Sequence, residues 1–296
     1  MASIFALLST PLCVVVLVFA FALGAVFASF IGCVASRTVA GESPWKGRSH
    51  CDSCGHVLGP LDLVPVVSWL AAGGKCRYCK APVPRSCVVT ELVLGAVFML
   101  VTLRFGLSGE TLAYMALACI LLGLSLVDLE TMTIPNGFVI ALCVVWVLHI
   151  AYQAGMQAAG LSAENCLWAS QPVAAQASLF AWAWGGGVPT LVADGLVGGL
   201  GIGGGVLLLS LGMDALLKKQ SLGGGDVKLL FAVGLFLGLP LGLFNLVVSC
   251  LLGLVFAFAR SAAGKPFPFG PAIAAATMVT LFVGPVFMQW YVGLLL

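Results

Sequence analysis

The chain has 296 residues, of which 61% are hydrophobic and 8% charged, with 37 glycines and a formal net charge of +2. A soluble domain of this length carries about 25% charged residues, so this composition excludes one. The expected fold class is an all-α polytopic membrane protein, its partner the lipid bilayer, and no nucleic acid is expected to bind.

Apolar stretches long enough to cross a bilayer at about 20 residues each begin with residues 8–34. No Lys or Arg precedes this stretch, so it lacks the charged start of a cleavable signal peptide and is expected to remain as an anchor. A polar loop follows, residues 35–85. It holds seven of the thirteen Lys and Arg residues: Arg37, Lys46, Arg48, Lys75, Arg77, Lys80 and Arg85. That excess predicts a cytoplasmic loop.

Within the loop stand "CDSC" at 51–54 and "CRYC" at 76–79. Two Cys-x-x-Cys pairs at this separation suit tetrahedral zinc, each hairpin aiming two sulfurs at one ion. Disulfides or free thiols are the competing reading, disfavoured on a reducing face. With Cys51, Cys54, Cys76 and Cys79 as ligands the shell is closed, so the zinc is expected to be structural. His56 is a possible substitute ligand.

Further spans are expected at 86–105, 110–128, 137–156, 191–213, 227–242, 243–259 and 271–294, about eight in all. The sixth and seventh are separated only by "GLPLG". Counting crossings from the loop puts Lys218, Lys219, Lys228, Arg260 and Lys265 on the same face and only Arg104 opposite, with both termini outside. Residues 157–190 contain no Lys or Arg and read as a partly amphipathic insertion lying at the outer interface. Four-residue spacing of Gly195, Gly199 and Gly203 predicts close helix packing.

Charges in spans are costly and mark function or pairing. Glu91, Asp128 and Asp226 fall within or at the ends of spans. The topology puts Asp128, in "LSLVDLETMTIPN", at the cytoplasmic end of the third helix and Asp226, in "LGGGDVKLL", at the cytoplasmic start of the sixth. If those helices are neighbours, the two carboxyls form a proton-sharing pair. The alternative is two solvated interfacial acids, with Asp226 pairing Lys228 or capping its helix. Gly223, Gly224 and Gly225 offer backbone that an extended peptide can approach closely.

In order along the chain, "GAVFASF", the cysteine loop, "ELVLG", "DLETMTIPN", "GGGDVKLL" and "PFGPAIAAA" resemble the prepilin peptidases, or type IV leader peptidases, membrane aspartic proteases of the Gly-x-Gly-Asp class. The resemblance implies leader removal from prepilin or pseudopilin precursors, including pilin-like secretion and DNA-uptake proteins, at the cytoplasmic face of the inner membrane. It implies Asp128 and Asp226 as the catalytic pair. Gly223 and Gly225 match the motif glycines, Pro135 and Asn136 match the turn after the first aspartate, and Lys228 joins these on the substrate side. Members with such a zinc loop resemble enzymes that also N-methylate the new terminus from S-adenosylmethionine, a role that would fall to the loop with Glu91 and Gly95. Two departures are visible: Gly32 stands where many relatives carry Asn, and "RSCVVTEL" where an Arg-Tyr-Pro sequence is common. The expected division is 1–34 as first span, 35–85 as the small cytoplasmic zinc-binding loop domain, and 86–296 as the peptidase core. A proton-coupled or ion transporter with a zinc-stabilised cap is the alternative function.

Overall fold

The computed structural model describes residues 10–43, 47–161, 171–181, 185–218, 222–261 and 268–295. Of the basic residues counted for sidedness, Lys46, Lys219 and Lys265 lie outside the described residues, as do 162–170 and 182–184 of the expected insertion. The described residues are almost all helical, and seven helices are long and apolar enough to cross a membrane. The chain divides into two compact units, Met1–Gly106 and Leu107–Leu296.

In the first unit, α1 (Thr10–Val39) and α3 (Arg85–Phe105) pack together, with the short α2 (Val67–Ala71) in the loop between them. Glycine permits the close crossing. A Cβ on Gly24 would stand 2.6 Å from the Leu94 carbonyl oxygen, and one on Gly95 2.9 Å from the Phe21 ring, so neither position admits a side chain.

The second unit contains α4 (Gly109–Thr131), α5 (Asn136–Ala158), α6 (Val188–Leu217), α7 (Gly224–Ser261) and α8 (Gly270–Leu295). Helix α4 starts at the N-cap Ser108, whose hydroxyl accepts from the Thr111 N–H, and stops at Met132 in the left-handed conformation (φ 54°), its N–H returning to the Asp128 carbonyl. A Pro at the entry to α5 follows almost at once, so the turn between the two helices is short and fixed.

Helix α7 is broken at Gly238, whose φ of 71° and ψ of 177° are non-helical. Gly195 and Gly203 of α6 face Leu235 and Phe231, an antiparallel match, whereas Gly201 and Ile202 face Leu239 and Gly242, a parallel one. The chain therefore turns back at Gly238, with Pro240 in the first turn of the returning helix, where its missing N–H costs nothing. The two apolar segments expected at 227–242 and 243–259 are both present, but the break falls at Gly238 rather than after residue 242. Hydropathy could not locate it because the hairpin tip is itself apolar. The α6 glycines expected to pack do so: a Cβ on Gly199 would stand 2.9 Å from the Leu235 side chain.

Part of the insertion departs from the expected interface position. Val173 and Ala174 are buried, the Val173 N–H donates to the Tyr114 hydroxyl at 2.9 Å, and the Leu179 N–H donates to Asp194 Oδ1 at 3.1 Å. Its backbone is held among the helices by these side chains, which amphipathicity alone does not reveal.

Candidate active site

Asp128 sits in the last turn of α4, 3% exposed. Its Oδ2 accepts the N–H of Gly270, the first residue of α8, at 3.0 Å. This backbone amide at a helix start, where N–H groups lack intrahelical partners, is well suited to a carboxylate. A Cβ on Gly270 would stand 2.5 Å from that same oxygen, so only glycine lets α8 begin there. "PFGPAIAAA" carried this signal, yet nothing in its spacing assigns Gly270 a partner 142 residues away.

Asp226 lies in the first turn of α7, partly exposed, and is within electrostatic reach of Asp128. The two motifs meet through their surroundings. A Cβ on Gly225 would stand 2.9 Å from Cβ of Ile134, in the turn after Asp128, and one on Gly223 would stand 3.0 Å from Asp226 Oδ2. Lys228 Nζ donates to Asn136 Oδ1 at 3.0 Å, joining the starts of α7 and α5. Pro135 precedes α5 in extended conformation (φ −64°, ψ 132°) and so aims Asn136 at Lys228. Thus Lys228 contacts Asn136 rather than Asp226. Asp128 is buried and Asp226 partly open to solvent, a difference of surroundings that suits two acids to different proton roles.

The four loop cysteines also converge. Their sulfurs all lie within 4.8 Å of one another, and Cys51 Sγ to Cys79 Sγ is 3.8 Å. A tetrahedral zinc with Zn–S of about 2.3 Å needs sulfurs about 3.8 Å apart, so the donor set fits the ion. Each pair is presented by the same device: the Cys51 N–H donates to His56 O and the Gly55 N–H to Cys51 O, while Cys76 N–H donates to Ala81 O and Lys80 N–H to Cys76 O. Gly55 and Lys80 both take positive φ, 69° and 63°. The backbone N–H groups of Cys79 and Tyr78 lower the Cys76 thiol to about 7, preparing it as a thiolate ligand. His56 lies against Tyr78 with ring centroids 3.7 Å apart and planes tilted by 34°, bridging the two hairpins instead of joining the sulfur cluster. Tyr78 in turn donates to Asp62 Oδ2 at 3.0 Å, and Arg77 pairs with Asp62 at 3.3 Å.

Glu91 is buried in α3, where its Oε2 accepts the Val66 N–H at 2.7 Å. Val66 holds φ 61° and ψ −52°, a strained conformation for a β-branched residue. Gly95, one turn on, is closed over by Phe21. At Gly32 the position is open, with nothing within 4 Å of an added Cβ.

Two buried acids lay outside the sequence-based set. Glu110 is fully buried and its Oε1 meets His149 Nε2 at 2.6 Å, with Gln153 also donating to it. Asp194 is 2% exposed. Both stand near the start of an expected span, where an acid reads as interfacial unless its partners are known.

Comparison with known proteins is consistent along the chain. Residues 22–105 match the family described as Bacterial Peptidase A24 N-terminal domain, and residues 115–258 match the Type IV leader peptidase family. A "Type 4 prepilin-like proteins leader peptide-processing enzyme" of Escherichia coli is 31% identical over 81% of this chain and 77% of its own length. A "Prepilin leader peptidase/N-methyltransferase" of Burkholderia pseudomallei is 33% identical over 81% and 68% respectively. One of the same name from Pseudomonas aeruginosa is 30% identical over 82% and 74%. No solved structure matches.

Proposed function

Since the chain belongs to the Type IV leader peptidase family, we propose that Asp128 and Asp226 carry out its leader-peptide cleavage, with water as nucleophile. The protein is a multi-pass membrane enzyme of the prepilin leader peptidase and N-methyltransferase type. The observation that carries the assignment is the meeting of the two aspartate motifs, through Ile134 against Gly225 and Asn136 against Lys228.

One ionised carboxylate removes a proton from water while its protonated partner donates a hydrogen bond to the scissile carbonyl oxygen. Water attacks the carbonyl carbon, giving a tetrahedral intermediate. The C–N bond then breaks as the proton passes to the leaving amine. Gly270 fixes the rotation of the Asp128 carboxyl through Oδ2, leaving Oδ1 to work. Gly225 lets Ile134 close against the start of α7, while the exposed Gly223 keeps the approach beside Asp226 free of a side chain, so an extended precursor segment can lie against the backbone there. The substrates are prepilin or pseudopilin precursors, met at the cytoplasmic face of the inner membrane.

Zinc bound by Cys51, Cys54, Cys76 and Cys79 would lock the two loop hairpins together and, with its shell closed, take no part in hydrolysis. S-adenosylmethionine is the methyl donor for the second activity. Glu91 and Gly95 support that activity by fixing the loop and α1 against α3, since the carboxylate holds Val66 and the glycine is covered by Phe21. A transporter would place its acids near the bilayer midplane, whereas Asp128 and Asp226 stand at helix ends.

The test is cleavage of a purified pilin precursor, read by product mass. Asp128→Asn and Asp226→Asn should each lower the rate about 10³-fold or more while the protein still inserts and binds zinc. Substantial cleavage by either variant removes that residue from the pair.

A further inference from the structure

The loop between α1 and α3 exposes large apolar side chains that no helix among the described residues covers. Leu61 is 72% exposed, Val67 61% and Leu70 63%, and Leu63 and Val64 are exposed beside them. In a polar loop such a contiguous patch needs a partner. The patch lies on and beside α2, whose height relative to the adjoining span is fixed by one hydrogen bond. Val66, at the start of α2, donates to Glu91, and Glu91 lies in the second turn of α3, six residues past Arg85 at its start. At 1.5 Å per residue that is about 9 Å along the span. The other end of the segment climbs back out: the Val83 N–H, just before α3, donates to Gly74 O at 2.8 Å. Trp69 Nε1 donates to the Val83 carbonyl oxygen at 3.4 Å.

We infer that residues 61–71 dip into the membrane interface beside α3, so that the bilayer itself covers the patch and the cysteine module rests on the lipid surface. Interfacial helices bury their apolar face about 5–10 Å into the headgroup and acyl boundary, which matches the depth of Glu91. On α3, Val89, Leu92 and Val93 are exposed over these same turns, turned about 100–160° around the helix from Glu91, so the span presents apolar side chains on its other faces at the height of the patch. Trp69 has the amphipathic character typical of that boundary. Above it Lys75, Lys80 and Arg85 are exposed, a charge pattern that favours anionic headgroups. The carboxylate of Glu91, satisfied by a backbone N–H, secures the dip and accounts for the strained Val66.

The inference is independent of the peptidase assignment and is tested without activity. The full chain with zinc bound is placed in nanodiscs of phosphatidylethanolamine and phosphatidylglycerol, with p-benzoylphenylalanine replacing Leu61 or Leu70. On illumination, lipid adducts identified by mass should form at a yield similar to that from position 93 and roughly fivefold above that from position 80. Adducts solely to protein, this chain or another, would overturn the inference, as would a yield no higher than at position 80. Hydroxyl-radical oxidation of the unsubstituted chain in the same nanodiscs gives a second reading. After correction for the intrinsic reactivity of each residue type, Leu61 and Leu70 should be protected like Val93, and corrected oxidation as extensive as at Tyr78 would overturn it.

Discussion

Gly270 presents its N–H to Asp128 at 3.0 Å across 142 residues of sequence, and the space that a Cβ there would need is already filled by the carboxylate. Gly270→Ala must therefore push Asp128 or α8 aside. A displacement of about 1 Å at a reacting group can cost about 10²-fold in rate. Cleavage should fall by that order in single-turnover assays, while zinc content is unchanged.

Lys228 and Asn136 join the helices that carry the two halves of the site. Lys228→Met removes the hydrogen bond but leaves the stem and both aspartates. Because the pair is exposed, a loss of about 1 kcal/mol or less is expected, a reduction of roughly fivefold in kcat/KM for precursor cleavage. A loss as large as that of Asp226→Asn would instead place Lys228 in contact with the reacting atoms.

Metal binding to the cysteine module should depend on pH in a set direction. The Cys76 thiol lies near 7 while that of Cys79 beside it is pushed up to about 11, so the sulfurs take up protons in steps as pH falls, Cys76 last of these two. Protons then compete with zinc. Competition against a chelator should show zinc affinity rising with pH through 7, and zinc uptake should release protons. Replacing Cys51 and Cys54 together by Ser should abolish the site, impairing methylation more than cleavage.

Glu110 and His149 form a buried pair remote from Asp128 along α4. Removing one partner leaves the other in an apolar bundle, so Glu110→Ala should destabilise by about 3–5 kcal/mol. Replacing both by Leu should recover much of this, because an apolar pair of similar volume avoids the desolvation cost. Thermal melting of the single and double variants in one detergent measures the difference.

The sequence made the helical membrane class plain, because composition and run length report burial in lipid directly. The cysteine pairs were legible for a similar reason: ligand spacing within a hairpin is local. Asp128 and Asp226 could be singled out as acids at span ends, but that their motifs meet, through Ile134 and Asn136, depended on which helices are neighbours. Gly270 shows the limit. Its role arises from a contact between α4 and α8, and a lone glycine before a proline reads as a helix start wherever it occurs. Glu110 and Asp194 were passed over because position along a span says nothing about what lies across it. Glu91 was noticed, yet its engagement with a backbone N–H in the loop had no periodicity to betray it.

The hairpin at Gly238 leaves the first half of α7 only roughly 14 residues long, on the order of 21 Å, against a hydrocarbon core of about 30 Å. A rod that short cannot reach both faces of an undisturbed bilayer. Leu229, Leu230, Val233, Phe236 and Leu237 along this rod are buried by other helices, so protein rather than lipid surrounds its short length. Asp226 stands at the end of the rod and is partly exposed, so on the proposed assignment the level at which a precursor meets this acid is set by where Gly238 turns the chain.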